Sequence, residues 1–239
     1  FGATITASIT EYKPEGYKFE GTAPSMVIKV SGNVIDVIYV KDIFGYTINY
    51  YQDSKEEGNF LGKIEDTAEF GTTITASITE YKPAGYKFEG TAPSMVIKVS
   101  GNVIDVIYVK DIFGYTINYY QDSKSEENFL GKIENTAEFG ATITASITEY
   151  KPEGYKFNGT APSMVIKVSE NVIDVIYVKD NFDYIINYYR DSKSEGNFLG
   201  KIEDTAEFGE TITASTTEYK PAGYKFNGTA PSMVIKVSG

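Results

Sequence analysis

The fourteen residues "FGATITASITEYKP" at 1–14 return as "FGTTITASITEYKP" at 70–83, "FGATITASITEYKP" at 139–152 and "FGETITASTTEYKP" at 208–221, each copy 69 residues after the last. A fixed period of this length organises the whole chain and overrides any domain count drawn from its 239 residues. Three full periods are followed by a truncated fourth copy. The copies differ mostly at polar or turn positions, such as Glu15/Ala84/Glu153/Ala222 and Gln52/Gln121/Arg190.

Inside each copy the apolar residues alternate with period two. In "YTINYY" (115–120) Tyr115, Ile117 and Tyr119 share one face, and Thr116, Asn118 and Tyr120 the other, the pattern of a half-buried strand. "SMVIKV" (94–99) alternates likewise, while "NVIDVIYV" (102–109) is apolar on both faces apart from Asp105, which suits a central strand. The Ser100-Gly101 link between these two runs predicts an antiparallel hairpin. Pro83 and Gly85 mark a turn before Tyr86. In "DSKSEENFLGKIENTAEFG" (122–140), Phe129, Leu130 and Ile133 fit either a short helix or a bent strand. No segment sustains a 3.6-residue period over a dozen residues, so the unit is mainly β.

Composition narrows the function. Net charge is −11 with the basic residues scattered singly, which argues against nucleic acid or anionic lipid as partner. The chain has no Cys, so neither disulfides nor thiolate metal sites are available. It has no His, the usual general base near neutral pH, and no nucleotide-binding glycine motif, so an enzyme is not expected and no cofactor is implied. No run approaches the roughly 20 apolar residues that span a bilayer, and no membrane insertion is expected of this segment. The start at Phe1, without a leader, reads as part of a longer polypeptide.

From Tyr46 to Asp111 the order of motifs resembles the MucBP (mucin-binding protein) repeat of Gram-positive surface proteins. An extended run ends in Tyr50, Tyr51 and Asp53. A middle section follows with Leu61-Gly62 and Phe70-Gly71, then the Gly85-Tyr86 pair, then an alternating strand ending at Tyr108. The segment "SKEEGNF" after Asp53 departs from the family's usual pattern. The resemblance implies small β-grasp (ubiquitin-like) α+β domains whose first and last strands lie side by side, arranged as an elongated rod. It sets the frame at 1–42 (partial, lacking the first strand), 46–111, 115–180 and 184–239 (partial, lacking the last strand). "KDIFG" (110–114) then becomes a tether between domains rather than a hairpin turn. The third tether, with Asn181 and Asp183 in place of Ile and Gly, should be the looser one. Incomplete sheets have open edges, which suit pairing with like chains. A cell-surface, extracellular location is implied, with signal and wall anchor expected outside this segment.

Tyr51, Tyr120 and Tyr189 lie on the strand face opposite Ile48, Ile117 and Ile186. An exposed tyrosine stacks on a sugar face while its hydroxyl bonds, so these are the candidate glycan contacts, unless both faces of the strand are covered. Phe44, Phe113 and Phe182 are placed either to bury at inter-domain junctions or to tuck into their own domains. The acidic stretches Asp53/Glu56/Glu57, Asp122/Glu126/Glu127 and Asp191/Glu195 lack EF-hand spacing and read as solvated loops, so no metal site is expected. No Lys/Asn/Asp spacing singles out an isopeptide crosslink, and "NGT" at 158–160 and 227–229 is absent from the first two copies. Two functions follow: an adhesin binding host glycoprotein or mucin glycans weakly and many times, or a stalk or filament whose repeats supply length, assembling by strand complementation.

Overall fold

The computed structural model describes residues 1–237, which fall into two compact units, Phe1–Ile112 and Phe113–Gly239. In the first unit the leading copy forms β1 (Thr4–Thr6), β2 (Tyr17–Phe19), β3 (Ser25–Val27) and β4 (Tyr39–Lys41). These pair antiparallel, β1 with β3 and β2 with β4. The next copy is complete: β5 (Ile43–Gln52), β6 (Phe60–Glu69), β7 (Thr73–Thr75), β8 (Tyr86–Phe88), β9 (Ser94–Val96) and β10 (Val103–Lys110).

Four of its strands make one sheet in the order β6-β5-β10-β8. β10, the most apolar run, takes a central place, parallel to β5 and antiparallel to β8. The first and last strands of the repeat are therefore neighbours, as expected of the fold. Period-two alternation decides what each face buries. Ile48 and Tyr50 from β5 meet Ile104, Val106 and Tyr108 from β10, and the β7–β9 ribbon brings Ile74, Ala76 and Met95 against them. The only helical turn of the repeat is the 3-10 segment Glu57–Asn59, so the grasp is closed by a ribbon rather than by an α-helix.

The second unit repeats the complete sheet with β11 (Ile112–Gln121), β12 (Phe129–Glu138), β13 (Thr142–Thr144), β14 (Tyr155–Phe157), β15 (Ser163–Val165) and β16 (Val172–Lys179), in the order β12-β11-β16-β14. It ends in β17 (Asn181–Tyr189), β18 (Phe198–Glu207), β19 (Thr211–Thr213) and β20 (Ser232–Val234), which form only two-stranded pairs. The stretch 122–140, open between helix and bent strand from sequence, is a 3-10 turn (Glu126–Asn128) followed by strand β12.

Two expectations are corrected. β9 and β10 do not form a hairpin: β9 pairs with β7, and β10 crosses to the sheet centre. The cause is Asn102, 6% exposed, whose side chain accepts from Lys98 N and donates to Lys98 O, both at 2.8 Å, turning the chain out of β9's plane. "KDIFG" is not a tether either. β5 begins at Ile43 and pairs with β6 from Ile43↔Glu69 onward, leaving Asp42 alone between β4 and β5.

The copies also show how far context governs a strand. Val103–Lys110 is extended throughout, whereas in the first copy the same sequence is strand only over Tyr39–Lys41. No strand stands there in the place of β5, and Val34 and Ile38 are 72% and 73% exposed. In the last copy no strand stands in the place of β10, and Tyr224 and Phe226 lose their strand form with 43% and 46% exposure.

Candidate functional site

Alternation along β5 and β10 leaves a second sheet face, opposite the ribbon. It carries Thr47, Asn49 and Tyr51 from β5, each opposite Val103, Asp105 and Ile107 on β10. Phe60 of β6 continues the Tyr51 row. Val103 is 52% exposed and Phe60 45%, so this face meets solvent. Tyr51 is thus half-buried at an open surface, with its ring edge-on to Phe60 at 5.6 Å.

In the second unit Tyr120 and Phe129 stand the same way at 5.6 Å, and with Lys124, Ser125 and Glu126 they line a shallow depression of about 380 Å³. Tyr189 and Phe198 repeat the pair in the last copy, also at 5.6 Å. The three candidate tyrosines therefore each sit in an aromatic pair, and the phenylalanine partner is the residue that sequence reasoning did not single out. A bulge in β17 at Tyr188/Tyr189, matched in β5 at Tyr50/Tyr51, sets this pairing; alternation alone does not reveal it.

Beside the aromatic pair lies a polar cluster. Asn49 donates to Asp105 Oδ1 at 3.0 Å, and Lys55 Nζ reaches Asp105 Oδ2 at 2.6 Å. Burial works to raise the Asp105 carboxyl, but the hydrogen bonds from Lys55 and Asn49, with the Lys55 charge, outweigh it and hold the group below the usual carboxylate range. The same contacts raise the Lys55 ammonium. Asn118, Lys124 and Asp174 rebuild the cluster in the second unit. Lys55 is 59% exposed, so the pair is an ordinary ion pair and lacks the burial that an isopeptide crosslink requires. Among the described residues no three acidic side chains gather to hold a metal.

The residues that carry the family resemblance converge on one another rather than on the surface. Tyr86 donates to Asp53 Oδ2 at 3.1 Å, Asp53 N donates to Tyr108 O at 2.8 Å, and Tyr50 stacks on Tyr108 with centroids 6.4 Å apart. Their role is architectural. A cleft of about 280 Å³ in the last copy is lined by Ile186, Tyr188, Tyr219, Tyr224 and Phe226. In the complete repeat before it, the corresponding ring of Ile117, Tyr119, Tyr155 and Phe157 surrounds Ile173, Val175 and Tyr177 of the central strand.

The junction phenylalanines act through a partner. Phe44 packs on Phe70 at 6.2 Å, and Phe70 in turn meets Tyr17 of the preceding copy at 6.2 Å. Gly16 makes room: a Cβ there would lie 2.3 Å from the Phe70 ring, and its φ is +78°. Phe182, Phe208, Tyr155 and Gly154 repeat the arrangement. This junction was expected to be looser because of Asn181 and Asp183. It keeps the same geometry, because its contacts come from rings and backbone rather than from those side chains. Phe113 packs on Phe139 at 6.2 Å.

No family model matches the chain, and no curated protein matches it. Among solved structures, the Bacillus anthracis TIE protein is 16% identical with a TM-score of 0.37, over 91% of this chain and 52% of its own. Mub-RV is 14% identical with a TM-score of 0.23, over 57% of this chain and 98% of its own. The chain thus spans about half the length of the TIE protein. Both superpositions are loose, and the fold rests on the sheet topology itself. No helix among the described residues is long and apolar enough to cross a membrane.

Proposed function

We propose that the chain is a non-enzymatic, tandem-repeat segment of a bacterial cell-surface adhesin that engages mucin or other host glycans weakly and at many points. The observation that carries this reading is the recurring open-face pair, Tyr51–Phe60, Tyr120–Phe129 and Tyr189–Phe198. In the two complete repeats a cluster of one Asn, one Lys and one Asp stands beside it. Aromatic rings at a solvent-facing surface supply apolar area for a pyranose face, and neighbouring polar groups supply hydrogen bonds. The MucBP-like motif order agrees with this chemistry. A shallow site of this kind is weak singly, and repetition raises avidity when several sites engage one polymer.

The test is binding of the whole chain to immobilised mucin at physiological salt, with periodate-oxidised mucin as control. Binding should be saturable and lost on oxidation. The triple variant Tyr51→Ala, Tyr120→Ala, Tyr189→Ala should weaken it about tenfold or more. Binding that survives the triple variant would move the site elsewhere, and no binding at all would leave the repeats without a ligand.

One observation favours a second reading, a stalk that supplies length. Within each unit one repeat is docked on the one before it, by Phe70 in the first and Phe208 in the second, through both rings and backbone. Such docking gives reach whether or not the faces bind sugar.

A further inference from the structure

The path of the chain through each complete repeat determines how it responds to tension. The chain enters β5 at Ile43 and leaves β10 at Lys110, with Asp42 and Asp111 as the flanking residues. These two strands are parallel neighbours, in register from Val103↔Thr47 to Tyr108↔Gln52. Pulling the two ends of the repeat apart draws β5 backwards and β10 forwards along their common axis. The hydrogen bonds between them lie across that axis, so all are loaded together and must fail together. An antiparallel hairpin loaded at its open end would instead lose its bonds one at a time.

The bonded stretch extends beyond the ladder at both ends: Thr47 N donates to Asn102 O at 2.9 Å, and Asp53 N to Tyr108 O at 2.8 Å. Side chains span the same two strands. Asn49 and Lys55 of the β5 side hold Asp105 of β10, and the buried Asn102 donates to Gly45 O at 3.1 Å. On the other face Ile48, Tyr50, Ile104, Val106 and Tyr108 are no more than 5% exposed, which keeps water from the ladder. In the second unit β11 and β16 repeat every feature, from Thr116 N to Asn171 O at 2.9 Å to Asp122 N to Tyr177 O at 2.8 Å. Asn118 and Lys124 hold Asp174 there, and Asn171 donates to Gly114 O.

The link into the first clamp is equally direct. Asp42 N donates to Gly16 O at 2.8 Å, its carbonyl accepts from Phe70 N at 2.9 Å, and its carboxylate accepts from Ile43 N at 2.9 Å. Asp42 alone thus joins the leading copy to the first complete repeat with no slack to take up.

We infer that the parallel pair of first and last strands is a mechanical clamp and that the repeats bear tension along the chain. The inference does not depend on any ligand. The test is single-molecule force spectroscopy on the whole chain, where the absence of cysteine lets attachment points be placed at will. Pulled from its two ends, the chain should give two high-force ruptures, one for each complete repeat, each releasing a contour of roughly 220 Å. The partial copies, which lack the parallel pair, should extend at low force. Attachment at Ile43→Cys and Ser100→Cys, exposed positions at the same end of β5 and β10, should peel the pair apart at a several-fold lower force. In the end-to-end geometry, Asn49→Ala with Lys55→Met should lower one of the two ruptures and leave the other. Equal forces in the shearing and peeling geometries, or no high-force rupture end to end, would overturn the inference.

Discussion

At the scale of single residues, the buried tyrosines divide into two kinds. Tyr177 is fully buried and donates to Glu149 O at 2.5 Å, whereas Tyr119, also fully buried, has a hydroxyl with no partner. Leaving a buried polar group unsatisfied costs about 1–3 kcal/mol, while a made hydrogen bond contributes about 1 kcal/mol net. Opposite signs are therefore expected from the same substitution. Tyr119→Phe should stabilise the repeat by about 1 kcal/mol and Tyr177→Phe should destabilise it by about the same, read from urea midpoints at unchanged slope. The sequence places Tyr119 on one face of an alternating strand and Tyr177 near the end of a central one, but carries no sign of which hydroxyl is satisfied, since Glu149 reaches Tyr177 only through the turn at Tyr150. That turn holds Tyr150 at φ +53°, with its ring over Gly131, where a Cβ would sit 2.4 Å away. From sequence Gly131 only left the stretch 122–140 open between short helix and bent strand, and its reason lies across the fold.

At the scale of elements, identical sequences adopt different structures according to their neighbours. The runs that become β5 and β10 were legible because alternation and apolarity are local properties. The partner of each was not, because a period of two is the same in a parallel pair and an antiparallel one. The expected hairpin between β9 and β10 failed on one side chain, Asn102, which closes on Lys98 and sends the chain across the sheet. Of the candidate site, the tyrosines were legible as outward-facing, while Phe60, Phe129 and Phe198 were hidden in a stretch that fitted two structures. The cleft of about 280 Å³ in the last copy makes this dependence measurable. Appending the ten residues "NVIDVIYVKD" after Gly239 should fill it, convert Tyr224–Phe226 to strand and protect their amides from hydrogen exchange. Unchanged exchange there would mean that the cleft does not accept a parallel strand.

At the scale of the whole molecule, stability should be bounded by pH on both sides. Desolvation raises Asp105, but its hydrogen bonds from Lys55 and Asn49 outweigh it and leave the group below its ordinary value. Asp42, Asp111 and Asp180 are lowered as well, the first two chiefly by a backbone N–H and the third chiefly by Lys156. A lowered carboxylate stabilises the fold above its unfolded pKa and loses that contribution as pH falls through the folded one, so the acid limb should open below about pH 4. Tyr108 and Tyr177 are pushed up to about 12, first by burial. Their contribution is complete below about pH 10 and disappears as pH rises toward 12. Thermal scans of the chain should show a plateau between these limits, and replacing Asp105 with Asn should shift its acid edge. A midpoint that does not change from pH 5 to pH 2 would contradict this account.

The single-residue links at Asp42, Asp111 and Asp180 give the array one further property. Because the period of the sequence equals one domain plus its link, recombination between any two equivalent positions removes or adds one whole domain and leaves every junction intact. The number of repeats is therefore free to vary between descendants of one gene without a compensating change anywhere else in the fold.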